Sequence, residues 1–246
     1  MTRVECPRGD RRRERRYTFF RRENIIAINN VYLQQQNRMR MEQNFVITIG
    51  RQFGSGGREI GRELARQMGI AYYDRELMQE AARESGIDPQ YFEQADEAAP
   101  TNLRHALLGW PAFSYGGGLC NENIFKLQAD VIRHIADKQS CVIVGRCADY
   151  ILREHPRCFT VFIHADMADR IARIQRHESL SDKEAAEKAV KVDKKRAGYY
   201  NFYSDKEWGS TAAYDLSINS SVLGATETAS LIRAWVEKRL AATTAG

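Results

Sequence analysis

Four groups of residues have the types and spacing to handle phosphate. The first is the stretch FVITIGRQFGSGGREIG, Phe45 to Gly61. An apolar, β-branched run enters a glycine cluster, and a helical pattern follows. Glycines let a chain curl so that backbone N–H groups point inward at an anion, and the following helix adds its positive end. Gly54, Ser55, Gly56 and Gly57 can supply such a cradle. The usual signature of this loop is G-x-x-x-x-G-K-[ST], with a lysine for the outer phosphates and a hydroxyl for magnesium. Here Arg51 stands at the first glycine, Gly57 at the lysine and Arg58 at the hydroxyl, with Glu59 next. The cradle is present and the side-chain chemistry is not the standard one. Arg58 or Arg51 is the candidate for the missing cation. Taken alone, the loop is equally readable as a tight strand-to-helix turn with no ligand.

The second group is Gly145 and Arg146, which follow the apolar run CVIV; the arginine fork suits an oxyanion bidentately. The third is Asp74, at the end of IAYYD, which could contact a ligand, hold a metal-bound water or cap a helix starting at Arg75. The fourth lies downstream. Arg170 and Arg173 stand three apart on one predicted helix face. Asp193 and Arg196 sit in a charged run with Lys188, Lys191, Lys194 and Lys195. Most of those lysines read as a solvated helix face. Tyr199 and Tyr200 are expected to pack rather than to stack on a base. Asp215 and Asn219 bracket a strand, and Asn219 suits a helix cap. No residue is assigned as a metal ligand. The triple glycine Gly116 to Gly118 lacks a preceding strand and is read as a loop.

Strands and helices alternate from Phe45. Strands are expected at Phe45–Ile49, Ile70–Asp74, Cys141–Gly145, Phe159–Ala165 and Tyr214–Asn219. Helical faces are marked by Ile60, Leu64 and Met68, and by Ile124, Leu127, Val131 and Ile135. Others are marked by Met167, Ile171 and Ile174, by the stretch Asp182–Arg196, and by Leu231 with Trp235. Arg75–Gly86 also reads as a helix. Alternation of this kind implies βαβ units and a parallel five-stranded sheet in an α/β fold. Ligands in such sheets bind beyond the carboxyl ends of the strands. The glycine loop, Asp74 and Gly145–Arg146 all fall there.

Composition bounds the rest. The chain has 246 residues, 43% hydrophobic and 28% charged, which suits a globular protein with an ample core. No apolar run approaches the ~20 residues a membrane helix needs. The five cysteines, Cys6, Cys120, Cys141, Cys147 and Cys158, are an odd number without metal-like spacing and read as reduced thiols of a cytoplasmic protein. Residues 1–44 carry eleven arginines, no lysine and five acids, whereas the whole chain is only +5. The basic excess therefore belongs to an amino-terminal arm, read as a disordered extension over residues 1–43. Weak nucleic-acid binding, if present, falls to that arm. A flexible tail is expected at 242–246.

The segments ITIGRQFGSGGREIGRELARQMGIAYYD, VIVGRCADYIL, FTVFIHADMADRIARI, VDKKRAGYY and YDLSINSS resemble the cytidylate kinase-like proteins, in the family's order and over most of the chain from Phe45 to about Arg239. GSGGRE looks like this subfamily's own form of the loop. The resemblance implies a three-layer α/β/α P-loop kinase fold over residues 44–241, with a helical acceptor-binding region and a lid at about 177–212. It implies ATP as phosphoryl donor, magnesium, and a pyrimidine nucleotide such as CMP or dCMP as acceptor. It also implies roles for particular residues. Arg51, Gly54, Ser55, Gly56, Gly57, Arg58 and Glu59 would bind donor phosphates. Asp74, Gly145, Arg146 and Arg170 would bind the acceptor. Arg58, Arg173, Asp193 and Arg196 would assist transfer. Where related kinases have an aspartate after the arginine of the third strand, this chain has Cys147. An alternative reading is a nucleotide sensor with little turnover.

Overall fold

The computed structural model describes residues 44–74 and 121–244. The amino-terminal arm, the expected helix at Arg75–Gly86 and the triple glycine lie outside the described residues. The described residues all belong to the unit Asn44–Gly246. Five strands form one sheet: β1 (Val46–Arg51), β2 (Ala71–Tyr73), β3 (Cys141–Val144), β4 (Cys158–His164) and β5 (Leu216–Asn219). Every pairing is parallel and the order is β2-β3-β1-β4-β5. All five expected strands are found, with ends shifted by one or two residues. β1 continues past Ile49 because Gly50 and Arg51 remain paired to Phe162 and Ile163 of β4. That places Arg51 as the last strand residue before the loop.

The helices are α1 (Gly57–Met68), α2 (Asn121–Lys138), the short α3 (Ala148–Ile151), α4 (Met167–Gln175), α5 (Asp182–Ser204) and α6 (Ser220–Thr244), kinked at Gly224. Alternation along β1 feeds two cores. Ile47 and Ile49 face Ile60 and Leu64 of α1 and Ala229, Ile232 and Val236 of α6. Val46 faces the other way, towards Val131, Ile132 and Ile135 of α2 and Ile151 of α3. Helices thus cover both faces, as all-parallel sheets require, and the architecture is the three-layer α/β/α P-loop kinase fold. Each fully buried Ile or Leu is worth about 1.5–3 kcal/mol.

Two expected faces are corrected. Leu231 is exposed, because α6 buries Ala229, Ile232 and Val236 and only half-buries Trp235. Met167 is also exposed; α4 instead turns Ile174 and the arginine Arg170 inward. α5 starts on a capping box in which the Ser181 hydroxyl accepts from the Glu184 N–H, and the Glu184 carboxylate accepts from the Ser181 N–H. Its Ala185 and Ala189 pack on Ile174, which docks the charged helix against α4. Among the described residues no helix is long and apolar enough to cross a membrane.

Candidate active site

β1 ends and α1 begins within six residues, and two glycines make this possible. Gly54 and Gly56 adopt left-handed backbone, with φ of 78° and 79°, a region costly to other residues. Gly54 is also pressed from outside: a Cβ there would lie 2.8 Å from the carbonyl oxygen of Arg170. Gly56 is the helix N-cap, and its carbonyl accepts the first helical bond from Ile60 N–H at 2.9 Å. Ser55 is fully buried, and its hydroxyl donates back to the Gln52 carbonyl at 2.9 Å. It therefore shapes the loop and is turned away from the magnesium role that a loop hydroxyl would play.

Side chains from three elements hold this loop. Arg170 of α4, 4% exposed, donates from Nε to the Phe53 carbonyl at 2.7 Å and pairs with Asp193 of α5. Asp193 in turn accepts the Phe53 N–H at 2.7 Å. One peptide unit on each side of Phe53 is thus clamped by a buried ion pair. Arg173, one turn along α4, donates to the Gly54 carbonyl at 2.8 Å. Arg196 donates to the Arg51 carbonyl at 3.0 Å and lies over the Phe53 ring. Ser220, fully buried at the start of α6, donates to the Ser55 carbonyl at 2.7 Å. The carbonyls of Arg51, Phe53, Gly54 and Ser55 are thereby all taken up by side chains.

The loop borders a hollow of about 260 Å³, lined by Gly54, Gly56, Gly57, Arg173, Arg51 and Arg196 among others. Glu59, in the first turn of α1, also lines it. Arg58 borders the hollow, but its guanidinium reaches Asp74 at 2.9 Å. Asp74 is 3% exposed and also accepts from the Tyr72 hydroxyl at 3.3 Å. Burial, with the neighbouring Asp74 charge, pushes the Tyr72 phenol up to about 12. Arg58 is thus tied to β2 by a buried carboxylate. Within the described residues Asp74 is met by Arg58, Arg62 and the Tyr72 hydroxyl, and the proposed capping of Arg75 lies outside them.

A second turn leaves β3. Gly145, Arg146 and Cys147 are all left-handed in succession, with φ of 83°, 62° and 53°. Two consecutive non-glycine residues in this region are strained, at a cost of order 1–3 kcal/mol each. The turn places Arg146, only 4% exposed, in a tight hollow with Asp149, Tyr200, Arg51 and Arg196. That hollow has room for about one water (~20 Å³). Burial raises the Asp149 carboxyl above its ordinary range, and the Tyr200 hydroxyl donating to it at 2.6 Å opposes that rise. Arg51 and Arg196 line both hollows, so two cations stand where the loop side and the Arg146 side meet.

Residue by residue, Arg51, Gly54, Gly56, Gly57, Arg58, Glu59, Arg173 and Arg196 gather at the loop hollow. Gly145 and Arg146 gather at the second, with Arg51 and Arg196 shared. Arg170, expected on the acceptor, is buried under the loop instead, because a buried guanidinium needs the carboxylate of Asp193 and the Phe53 carbonyl. Asp193 acts on the loop through Arg170 and Phe53. Asp215 accepts from both the N–H and the hydroxyl of Thr160 at 2.9 Å, which ties β5 to β4. Asn219 caps α6 by accepting the Ser221 N–H. Tyr199 and Tyr200 are buried among Phe162 and Tyr214, and Lys191, Lys194 and Lys195 are exposed. Burial pushes the Cys141 and Cys158 thiols up to about 12, which keeps them protonated and inert. Sequence reasoning missed Gln52, Phe53 and Ser220. Gln52 and Phe53 offer loop peptide groups and the Ser220 hydroxyl donates to one, and only the serine pair in YDLSINSS hinted at one of them.

Among the described residues no three acidic, histidine or cysteine side chains cluster as a metal cage would. Two carboxylates line the loop hollow, Glu59 in the first turn of α1 and Glu178, which pairs with Lys188. This donor set fits a divalent ion that arrives on phosphates with most of its water, since magnesium keeps several waters and takes one or two carboxylates.

A family model described as the cytidylate kinase-like family matches residues 46–222. The crystal structure of an uncharacterized protein from Eubacterium ventriosum ATCC 27560 is 28% identical, with a TM-score of 0.61 over 79% of this chain and 99% of that one. A shikimate kinase from Bacteroides thetaiotaomicron aligns at 13% identity over 78% of this chain and 98% of its own, with a TM-score of 0.48. A gluconokinase from Sinorhizobium meliloti 1021 aligns at 12% identity over 81% and 97%, with a TM-score of 0.46. A search of curated proteins gave no match. A match over most of the chain, on a five-stranded parallel sheet with a glycine loop after β1, assigns this chain to the cytidylate kinase-like family.

Proposed function

We propose that the protein transfers the γ-phosphoryl of ATP to a small phosphorylated acceptor, with a pyrimidine nucleotide such as CMP or dCMP the leading candidate. The observation that carries this reading is the pair of hollows that share Arg51 and Arg196. The loop hollow suits donor phosphates, which backbone N–H groups and the start of α1 would bind. The tight turn holds Arg146 for an acceptor phosphate. Phosphoryl transfer needs positioning and charge neutralisation more than covalent help. Arg51 and Arg196 stand at the boundary where that charge would develop, and Arg173 sits over Gly56 with its guanidinium 3.4 Å from a Cβ placed there. When bound with the nucleotide, magnesium would neutralise phosphate oxygens, with Glu59 reaching its waters. The α5 region at about 177–212 would act as the lid that brings Arg196 over the site, and the setting would be the cytoplasm.

The second reading is a nucleotide sensor. Arg58 tied to Asp74 and the Ser55 hydroxyl turned to Gln52 favour it, because the usual magnesium hydroxyl is absent. A panel assay separates the two: ATP and magnesium with CMP, dCMP, UMP, AMP and small hydroxyl acceptors. Labelled product with a pyrimidine monophosphate, lost in Arg146→Ala, supports the kinase. ATP binding without product from any acceptor leaves the sensor. Absence of ATP binding sinks both.

A further inference from the structure

Position 57 is occupied by glycine although its backbone does not require one. Gly57 opens α1 with ordinary helical geometry and is not among the positive-φ glycines. The reason lies in the neighbouring side chain. A Cβ at position 57 would fall 2.6 Å from Cβ and 3.0 Å from Cγ of Arg51. The Arg51 stem fills the space from which a loop lysine would grow. In the usual signature these two positions hold the reverse pair, glycine at the end of the strand and lysine at the start of the helix.

We propose that the glycine and the cation have changed places in this chain. Arg51, reaching from the end of β1 across Gly57, carries the charge for the outer phosphates, and Gly57 is glycine because Arg51 is not. This rests on reading the loop hollow as a nucleotide-phosphate site. Three placements support it. Arg51 lines the loop hollow beside Gly54, Gly56 and Gly57. It also lines the hollow of Gly145 and Arg146, which is where a cation serving the transferred group must reach. Its backbone is fixed by pairing to Ile163 of β4 and by Arg196 on its carbonyl, so the side chain starts from a rigid strand end. Arg58, the other candidate, is held by Asp74. The loop therefore takes a nucleoside triphosphate with an arginine fork in place of a lysine ammonium, two donors in place of a point charge.

The test is an exchange of the pair in the full chain, read by ATP calorimetry and by thermal melting. Arg51→Met keeps the stem and removes the charge; it should weaken ATP binding about 10- to 100-fold, the worth of a hydrogen bond to a charged group, with little change in Tm. Gly57→Lys alone should lose both stability and binding. The double variant Arg51→Gly with Gly57→Lys should bind ATP more tightly than either Arg51→Gly or Gly57→Lys alone. Gly57→Ala should lower Tm strongly in the native background and much less when combined with Arg51→Gly. Wild-type-like ATP binding by Arg51→Met overturns the charge assignment while leaving the nucleotide reading intact. A double variant no better than the weaker single one, or equal Tm losses for Gly57→Ala in both backgrounds, overturns the exchange. Failure of the native chain itself to bind ATP removes the nucleotide reading and the charge assignment with it.

Discussion

Two strand-to-helix turns leave the same end of the sheet, and they reach left-handed backbone by different routes. After β1, the positive φ values fall on glycines, and side chains from α4, α5 and α6 hold the loop carbonyls. After β3, one glycine is followed by Arg146 and Cys147 in the same conformation. The first turn is relaxed locally and secured from outside. The second stores strain in Arg146, the residue proposed to meet the acceptor. A backbone cradle can be built from glycine, whereas an arginine that must be aimed has to accept the conformation that aims it.

The largest expected effect breaks the outside support of the first turn. Asp193→Ala leaves Arg170 buried without its carboxylate and frees the Phe53 N–H; a loss of about 3–5 kcal/mol in urea unfolding is expected. A loss below about 1 kcal/mol would mean the loop does not depend on the clamp. Next, Gly54→Ala forces a side chain into left-handed backbone and against the Arg170 carbonyl. It should cost about 2–3 kcal/mol by the same measurement. The second turn should answer differently. Arg146→Gly relieves left-handed strain but removes a buried side chain, so it should cost less stability than Gly54→Ala, while phosphoryl transfer falls about 100-fold or more. If Arg146→Gly unfolds the protein and the Gly54 variant does not, the contrast between the turns is wrong.

A smaller effect concerns pH. Burial holds the Asp149 carboxyl above its ordinary range, so the folded protein keeps this proton to higher pH than the unfolded chain does. The stability linked to it is fully present below the ordinary carboxylate value near 4 and is lost as pH rises through the folded value. Asp149→Asn, which still accepts from Tyr200, should therefore gain on the native protein as pH rises above the ordinary carboxylate value near 4. A gap between the two that stays constant as pH rises from there would contradict the buried-carboxyl account. Smallest of all, Lys194→Ala and Lys195→Ala on the exposed face of α5 should each change stability by less than about 0.5 kcal/mol and leave transfer unchanged; a marked loss of activity would move them into the site.

The inner strands β1, β3 and β4 were readable as apolar runs between turn residues, the mark of burial in a parallel sheet, and the half-buried edge strands β2 and β5 by their place in the alternation. The glycine loop was readable because glycine clusters between a strand and a helix are rare. The role of Arg170 was not. Two arginines three apart read as equivalent, and only the fold shows that Arg170 is buried against Asp193 and the Phe53 carbonyl while Arg173 reaches the Gly54 carbonyl at the edge of the hollow. The clamp on Phe53 was invisible for a related reason: it acts through a peptide unit, which every residue has. Ser220 escaped notice because a serine near a strand end serves many purposes. The reason for Gly57 also required coordinates, since the residue that excludes a side chain there lies six positions earlier.

The central claim is that the hollow inside the glycine loop binds nucleotide phosphate. Isothermal titration of ATP into the full chain, with ADP and AMP as controls, tests it most directly. The account predicts saturable ATP binding in the range of about 1 µM to 1 mM usual for enzyme substrates. It should weaken from ATP to AMP as phosphates are removed, and weaken again in Arg173→Ala. No heat of binding for any of the three nucleotides, from a chain that melts cooperatively, would contradict it.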